Sequence, residues 1–277
     1  FQAICLMMST VSTAGFATSD LSLGYFDDIW IESIAIIFMI MGSVTLLLFT
    51  RLLHGDPKPL LRDSQVRVYF SLIAIASALM AMWLWWTDQY NFFNALRYGT
   101  FAVVSIASTT GFTTADFNTW GSFTLIFLFL LMFVGGCTGS TAGGIKIFRY
   151  QILFKAAKQQ ILQLRRPHGV FVPLYNDQRL KEADFMSVLA FFALYIFCYA
   201  ALALSFAVCG LDVISSLSGS ATILGNVGPG LGTQIGPSSN FGTLSETAKW
   251  FTIFGMLLGR LELLTLLILF TPNFWRT

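Results

Sequence analysis

The chain has 277 residues, of which 56% are hydrophobic and 11% charged, with a formal net charge of +2. Soluble domains carry about 25% charged residues, so this chain has too little polar surface to cover itself in water, and lipid is its natural solvent. The small net charge gives no nucleic-acid signature. The four cysteines, Cys5, Cys137, Cys198 and Cys209, form no CxxC pair and read as reduced, buried side chains rather than a disulfide framework.

The chain begins at Phe1 inside an apolar segment, without a start Met or a basic leader, which predicts an N-terminally incomplete sequence. A bilayer span needs roughly 20 apolar residues. Residues 3–11 are apolar but too few, and residues 29–53 are the first full span. A basic connection with Arg51, Lys58, Arg62 and Arg67 leads to a second span at 66–86. Residues 92–107 form another short apolar stretch. Residues 120–150 are long enough to span but are interrupted at 135–144 by GGCTGSTAGG. A second basic connection follows, with Arg149, Lys155, Lys158, Arg165, Arg166, Arg179 and Lys181. Then come a span at 184–209, a short stretch at 213–224 and a final span at 248–271. Both basic connections are expected in the cytoplasm. The other side carries Asp20, Asp27, Asp28, Glu32, Asp88 and Asp116, with few cations. Alternation then requires each short stretch to enter from outside and return, and it leaves the C-terminus cytoplasmic at Arg276.

An internal repeat runs through these segments. Ser12-Thr13-Ala14-Gly15-Phe16 matches Ser108-Thr109-Thr110-Gly111-Phe112, and in both an Asp, Asp20 or Asp116, follows the Gly by five residues. A divergent third copy is Gly225-Asn226-Val227-Gly228-Pro229. The unit is therefore span, re-entrant helix, Gly loop, span. Irregular backbone at membrane depth is tolerated only where it is buried in protein or lines a watery cavity. Rings of backbone carbonyls can replace the water shell of a cation, and Gly lets successive carbonyls turn to one side. Asp20 and Asp116 would concentrate cations nearby. One such turn alone would read as an ordinary connection; three in register read as a pore lining.

With these loops, the string GGCTGSTAGGIK at 135–146 and the C-terminal strings LGRLE at 258–262 and FTPNFWR at 270–276, the sequence resembles the Trk/Ktr/HKT superfamily of potassium transporters, and within it the bacterial Trk branch. The similarity covers essentially the whole chain. It implies an all-α membrane protein with pore-loop repeats around a pseudo-fourfold pore. Residues 1–53 would be the end of the second repeat, 54–166 the third and 167–277 the fourth. The first selectivity filter would be missing, so the visible part could not close a ring alone. The resemblance places potassium ligands at Thr13, Ala14, Gly15, Thr109, Thr110, Gly111, Asn226, Val227 and Gly228. In the plant HKT branch a Ser in place of a filter Gly accompanies sodium preference, so the three glycines favour potassium. In the fourth repeat Pro229 replaces Phe and Thr233 stands where Asp is expected, so the symmetry is approximate.

The glycine density of 135–144 rules out a straight helix, since each Gly costs about 1 kcal/mol relative to Ala. The spacing is not that of a phosphate-binding loop. Two readings stay open, a packing site for another helix and a flexible intramembrane loop. The resemblance implies the second, a gate formed by Gly135, Gly136, Gly139, Ser140, Thr141, Gly143 and Gly144 with Arg260 close by. Arg260 sits near the middle of the last predicted span, where a charge costs roughly 2.5–3.5 kcal/mol. Glu262, two residues on, does not share its helix face. Arg260 is thus expected to face the pore or the loop, the alternative being a buried salt bridge. The resemblance further implies bacterial inner-membrane localisation in contact with lipid, a homodimer, and a cytoplasmic nucleotide-binding regulatory Trk subunit on the basic 149–181 stretch. No nucleic acid, catalysis or cofactor is implied, with K+ as the transported ion. His54 and His168 are the two histidines, and both fall in cytoplasmic connections. The alternative function is a secondary carrier for another small solute built on broken helices.

Overall fold

The computed structural model describes residues 1–166, 169, 173–176, 178–239 and 241–275; His168 and Arg276 lie outside the described residues. The architecture is helical. Helices α1 (Gln2–Val11), α2 (Ile29–Ser43) and α3 (Leu46–Leu53) are followed by the short α4 (Lys58–Arg62). Next come α5 (Ser64–Trp86), α6 (Phe92–Ala107), α7 (Ser122–Leu131) and α8 (Ile147–Arg165). A two-residue hairpin, β1 (Leu174–Tyr175) with β2 (Gln178–Arg179), leads to α9 (Glu182–Val208), α10 (Val213–Gly225), α11 (Glu246–Arg260) and α12 (Leu264–Leu267).

Local chemistry sets the ends of these elements. The Asp63 carboxylate accepts from the Gln65 and Val66 N–H groups and starts α5, which then runs 23 residues without Gly or Pro. At 1.5 Å per residue that is about 35 Å, enough for a ~30 Å hydrocarbon core. Asp212 caps α10 through the Ser215 N–H at 3.2 Å, and Ser245 caps α11 through Ala248. Among the described residues, α5 and α9 are long and apolar enough to cross a membrane singly. The short helices α1, α6 and α10 coincide with the three short apolar stretches of the sequence.

Two predicted spans are broken. Residues 29–53 form not one helix but two, α2 and α3, bent by 102°. Ser43 ends α2 and Val44 is extended. The Gly42 carbonyl, which in a continuous helix would bond the Leu46 N–H, accepts instead from Thr141 N at 3.1 Å, and Leu46 N donates to Gly139 O at 3.1 Å. The Gly-rich loop thus takes over the hydrogen bonds of the bend. The span predicted at 248–271 also breaks: α11 ends at Arg260, and Glu262 and Leu263 adopt positive φ (54° and 32°). Arg260 therefore lies at a helix terminus rather than at mid-span.

Most of α6 and the C-terminal part of α10 are packed inside the bundle, α1 buries Leu6, Ser9 and Thr10, and the outside of the bundle is apolar. Phe101, Val103, Val104 and Ala107 of α6 are fully buried against α5, α2 and α7, whereas Trp30, Leu53, Phe93 and Trp250 are exposed. Such an apolar exterior suits hydrocarbon rather than water. On the side that the sequence assigned few cations, Arg97 of α6 clamps onto α2. Its Nε and Nη2 donate to the buried Glu32 carboxylate at 2.7 and 2.9 Å, and Nη2 reaches Asp27 at 2.8 Å.

Candidate ion-coordination site

Each of α1, α6 and α10 ends in the same backbone motif. A residue one or two places past the helix takes a left-handed conformation: Thr13 (φ 50) and Thr109 (φ 56), which follow the caps Ser12 and Ser108, and Asn226 (φ 53), which follows Gly225 directly. Two residues later a glycine again has positive φ: Gly15 (74), Gly111 (81) and Gly228 (117). The N–H groups of Thr13, Thr109 and Asn226 donate three residues back, to Thr10, Ile106 and Ile223. Those of Ala14, Thr110 and Val227 donate five residues back, to Ser9, Ser105 and Thr222, at 2.9, 3.0 and 2.8 Å. This is a Schellman closure, repeated three times. The divergent sequence at 225–229 therefore shares this closure with the other two loops. A β-branched residue with positive φ is an outlier, and such strain persists only where the surroundings over-determine it; Thr13 and Thr109 are two such residues at equivalent places.

The closures consume N–H groups but leave carbonyls. Among the described residues no hydrogen bond is donated to the carbonyl oxygens of Thr13, Ala14, Gly15, Thr109, Thr110, Gly111, Asn226, Val227 or Gly228. Thr13, Thr109, Thr110 and Val227 are buried, and buried backbone groups are almost always paired, so their unpaired carbonyls call for a partner that is not the protein. The loops also touch in sequence. A Cβ on Gly15 would lie 1.9 Å from Thr110 O, and a Cβ on Gly111 would lie 2.0 Å from Val227 O. Gly15 and Gly111 thus each admit the carbonyl of the next loop.

Thr13, Ala14, Gly15, Thr110, Gly111, Asn226, Val227 and Gly228 line one cavity of about 570 Å³. Thr109 does not line it; it is fully buried, and its Oγ1 accepts from Gly143 N at 2.6 Å. Of the two acids singled out by the sequence, Asp20 lines the cavity. Asp116 does not, because its carboxylate accepts from Asn118 N (3.0 Å) and Ser238 Oγ (3.1 Å) and caps the 3-10 turn Phe117–Trp120. The C-terminal ends of three helices meet at this cavity, and each carries a partial negative charge equivalent to about −0.5.

The Gly-rich segment 132–146 lies against these loops. It leaves α7 and returns to α8 through Gly135 N→Ile145 O (2.9 Å), Ile145 N→Phe133 O (3.2 Å) and Ile147 N→Gly136 O (3.2 Å). Ser140 Oγ donates to Cys137 O at 2.6 Å. The bend of α2 and α3 holds it through Cys137 N→Ser43 O (2.8 Å) and Thr45 Oγ1→Thr138 O (2.7 Å). α5 adds Gln65 Oε1, which accepts from Thr138 N. A side chain on Gly143 would meet Gly225 O at 2.4 Å, and one on Gly135 would meet Gly143 O at 2.1 Å. Thr141 Oγ1 contacts Thr13 Oγ1 at 3.3 Å. Arg260 lines the cavity and donates from Nη1 to Thr141 O at 2.8 Å, so it faces the loop, from a helix terminus and not from mid-span. Glu262 pairs with Arg149 instead, at 2.6 Å.

Sequence reasoning missed Lys146, which is buried and donates to Ala142 O at 2.5 Å within the same loop. Its place two residues past Gly144, inside an apolar stretch, was the available signal. The Arg97–Glu32 clamp was also missed, although a lone Arg in the short apolar stretch 92–107 marked it.

The model of the TrkH family, described as cation transport protein, matches residues 1–277. The Trk system potassium uptake protein TrkI of Halomonas elongata is 42% identical over 279 residues, covering 99% of this chain and 56% of that protein. TrkH of Escherichia coli is 35% identical over 278 residues, covering 100% and 57% respectively. The crystal structure of the potassium transporter TrkH from Vibrio parahaemolyticus aligns with a TM-score of 0.93 at 33% identity, over 99% of this chain and 59% of that one. The architecture is thus that of a helical membrane protein with pore-loop repeats. The chain spans a little over half the length of the curated relatives it matches.

Proposed function

The chain belongs to the TrkH family of cation transport proteins, and from that premise we propose that it supplies most of a potassium-uptake path through the bacterial inner membrane. The single observation that carries the reading is the trio of matched loops whose carbonyls accept no hydrogen bond around one cavity. In this reading residues 1–53, 54–166 and 167–277 are successive pore units, and a further loop elsewhere in the protein closes the pseudo-fourfold ring. A potassium ion sheds water against the carbonyls at 13–15, 110–111 and 226–228, and these supply the ligand oxygens. The negative helix ends favour the ion without binding it as a fixed countercharge would.

The segment 135–144 is the gate in this reading. It lies against the loops at 13, 109 and 225–226 and must move for ions to pass. Arg260 bars the path twice, by tying down Thr141 O and by placing a positive charge on the route. Repulsion between two unit charges at 4 Å is about 4 kcal/mol at an effective dielectric of 20. The charged residues among the cavity lining are Asp20 and Arg260, a poor side-chain set for a carrier of larger solutes. The partners of the proposal are membrane lipid, a second copy of the protein, and a cytoplasmic nucleotide-binding Trk subunit.

The test is growth of a potassium-uptake-deficient bacterium at limiting potassium, carrying the full-length gene, paired with rubidium flux into proteoliposomes. Rescue and flux are expected; an inserted protein that gives neither overturns the reading.

A further inference from the structure

Helices α5 and α7 leave a groove of about 680 Å³ between them. It is separate from the cavity of the Gly loops. Its α5 wall runs from Ser64 through Arg67 to Leu79 and its other wall is Phe127 and Leu131 of α7. The twelve residue steps from Arg67 to Leu79, at 1.5 Å each, make about 18 Å, close to one leaflet of a ~30 Å hydrocarbon core. Past Ser71 the lining is entirely apolar. Exposed Ile75 and Leu79 flank buried Ala76, and that small residue deepens the groove.

The polar end is chemically distinct. Arg67 sits one turn into α5, and its side chain makes one hydrogen bond among the described residues, Nη2 to Arg62 O at 3.1 Å. No carboxylate pairs with it among the described residues. The nearby Asp63 carboxylate accepts from the Gln65 and Val66 N–H groups. An apolar channel of one-leaflet length that ends at an unpaired guanidinium matches a ligand with a hydrocarbon tail and an anionic head. Guanidinium and phosphate pair strongly and directionally.

We propose that this groove is a binding site for an anionic phospholipid, with one acyl chain along α5 and the phosphate at Arg67. Leu131, the last residue of α7, is part of the α7 wall. The bound chain therefore braces the point from which the Gly-rich segment departs. The site rests on the membrane fold and not on which ion is transported.

The experiment measures lipid retained by the full-length protein in detergent, by native mass spectrometry, during titration with phosphatidylglycerol or phosphatidylcholine. Phosphatidylglycerol is expected to be retained at least fivefold more strongly. Arg67→Gln should remove that preference and leave phosphatidylcholine retention unaltered. Ile75→Trp, which fills the groove, should weaken retention of both. Equal retention of the two lipids by the unmodified protein would overturn the proposal without any variant having to fold. So would an Arg67→Gln protein that keeps the preference. Cross-linking of Ile75→Cys between two copies would assign the groove to a second chain and overturn it as well. None of these readouts uses ion flux, so their failure is separate from failure of the potassium reading.

Discussion

Replacing Gly111 by Ala in the full-length protein isolates the proposed filter geometry. The new Cβ would stand 2.0 Å from Val227 O and 2.9 Å from Pro229 Cδ, where real contacts need at least 3.0 Å. The Val227 carbonyl must then retreat by about 1.0 Å (3.0 − 2.0). It cannot do so freely, because Val227 N is bonded to Thr222 O at 2.8 Å and Gly228 N to Thr222 Oγ1 at 3.0 Å. The left-handed backbone adds roughly 1–2 kcal/mol, and overpacking adds about 1–3 kcal/mol. Loss of one carbonyl contact to a cation, on the scale of a hydrogen bond to a charged group, is worth about 1.5–3 kcal/mol, or roughly ten- to hundredfold in ion binding. Gly111→Ser carries the same Cβ and a hydroxyl besides. The assay is the ratio of rubidium to sodium flux in proteoliposomes, per inserted protein, and the ratio should fall in both variants. Gly121→Ala is the control. Gly121 also has positive φ (92) but nothing within 4 Å of its Cβ position, so it should lose some stability and keep its flux ratio. An unaltered ratio in a normally expressed Gly111→Ala protein would remove Gly111 from the filter.

Deletion of residues 139–143 should raise basal flux with insertion preserved, because the contacts to Thr13, Thr109 and the α2–α3 bend are lost together; a shortened protein that inserts but conducts less would refute the barrier role. Arg260→Ala should raise flux per molecule across physiological pH, since Arg stays protonated throughout that range. Its thermal stability in detergent should change little, because Glu262 is paired with Arg149; a stability loss with unaltered flux would count against the barrier. Glu32→Gln leaves Arg97 short of its buried partner and should cost about 3 kcal/mol, read as a lower unfolding temperature in detergent. Retained stability there would mean that Asp27 suffices for Arg97.

The Gly loops were legible because their requirement is local. A backbone that turns left-handed after a short apolar helix needs a particular pair of positions, and the strings at 12–16 and 108–112 display them. The copy at 225–229 was legible only by spacing, yet its backbone is equivalent, since Asn226 accepts the left-handed conformation that Thr13 and Thr109 hold under strain. The interruption at 135–144 was likewise visible, because five glycines in ten residues defeat a helix whatever surrounds them.

Composition, the short apolar stretches and the repeated Gly positions were thus determined by the sequence itself, through burial, helix propensity and backbone conformation, all of which act within a few residues. The tertiary structure alone decided what those residues meet. It broke 29–53, because the bend's carbonyls and N–H groups bond Cys137, Gly139 and Thr141 almost a hundred residues away. It gave Asp116 to a cap, Glu262 to Arg149 and Arg260 to Thr141 O. Hydrogen bonds and ion pairs of that kind depend on distances of a few ångströms between segments remote in the chain, and nothing local in the sequence encodes which partner arrives.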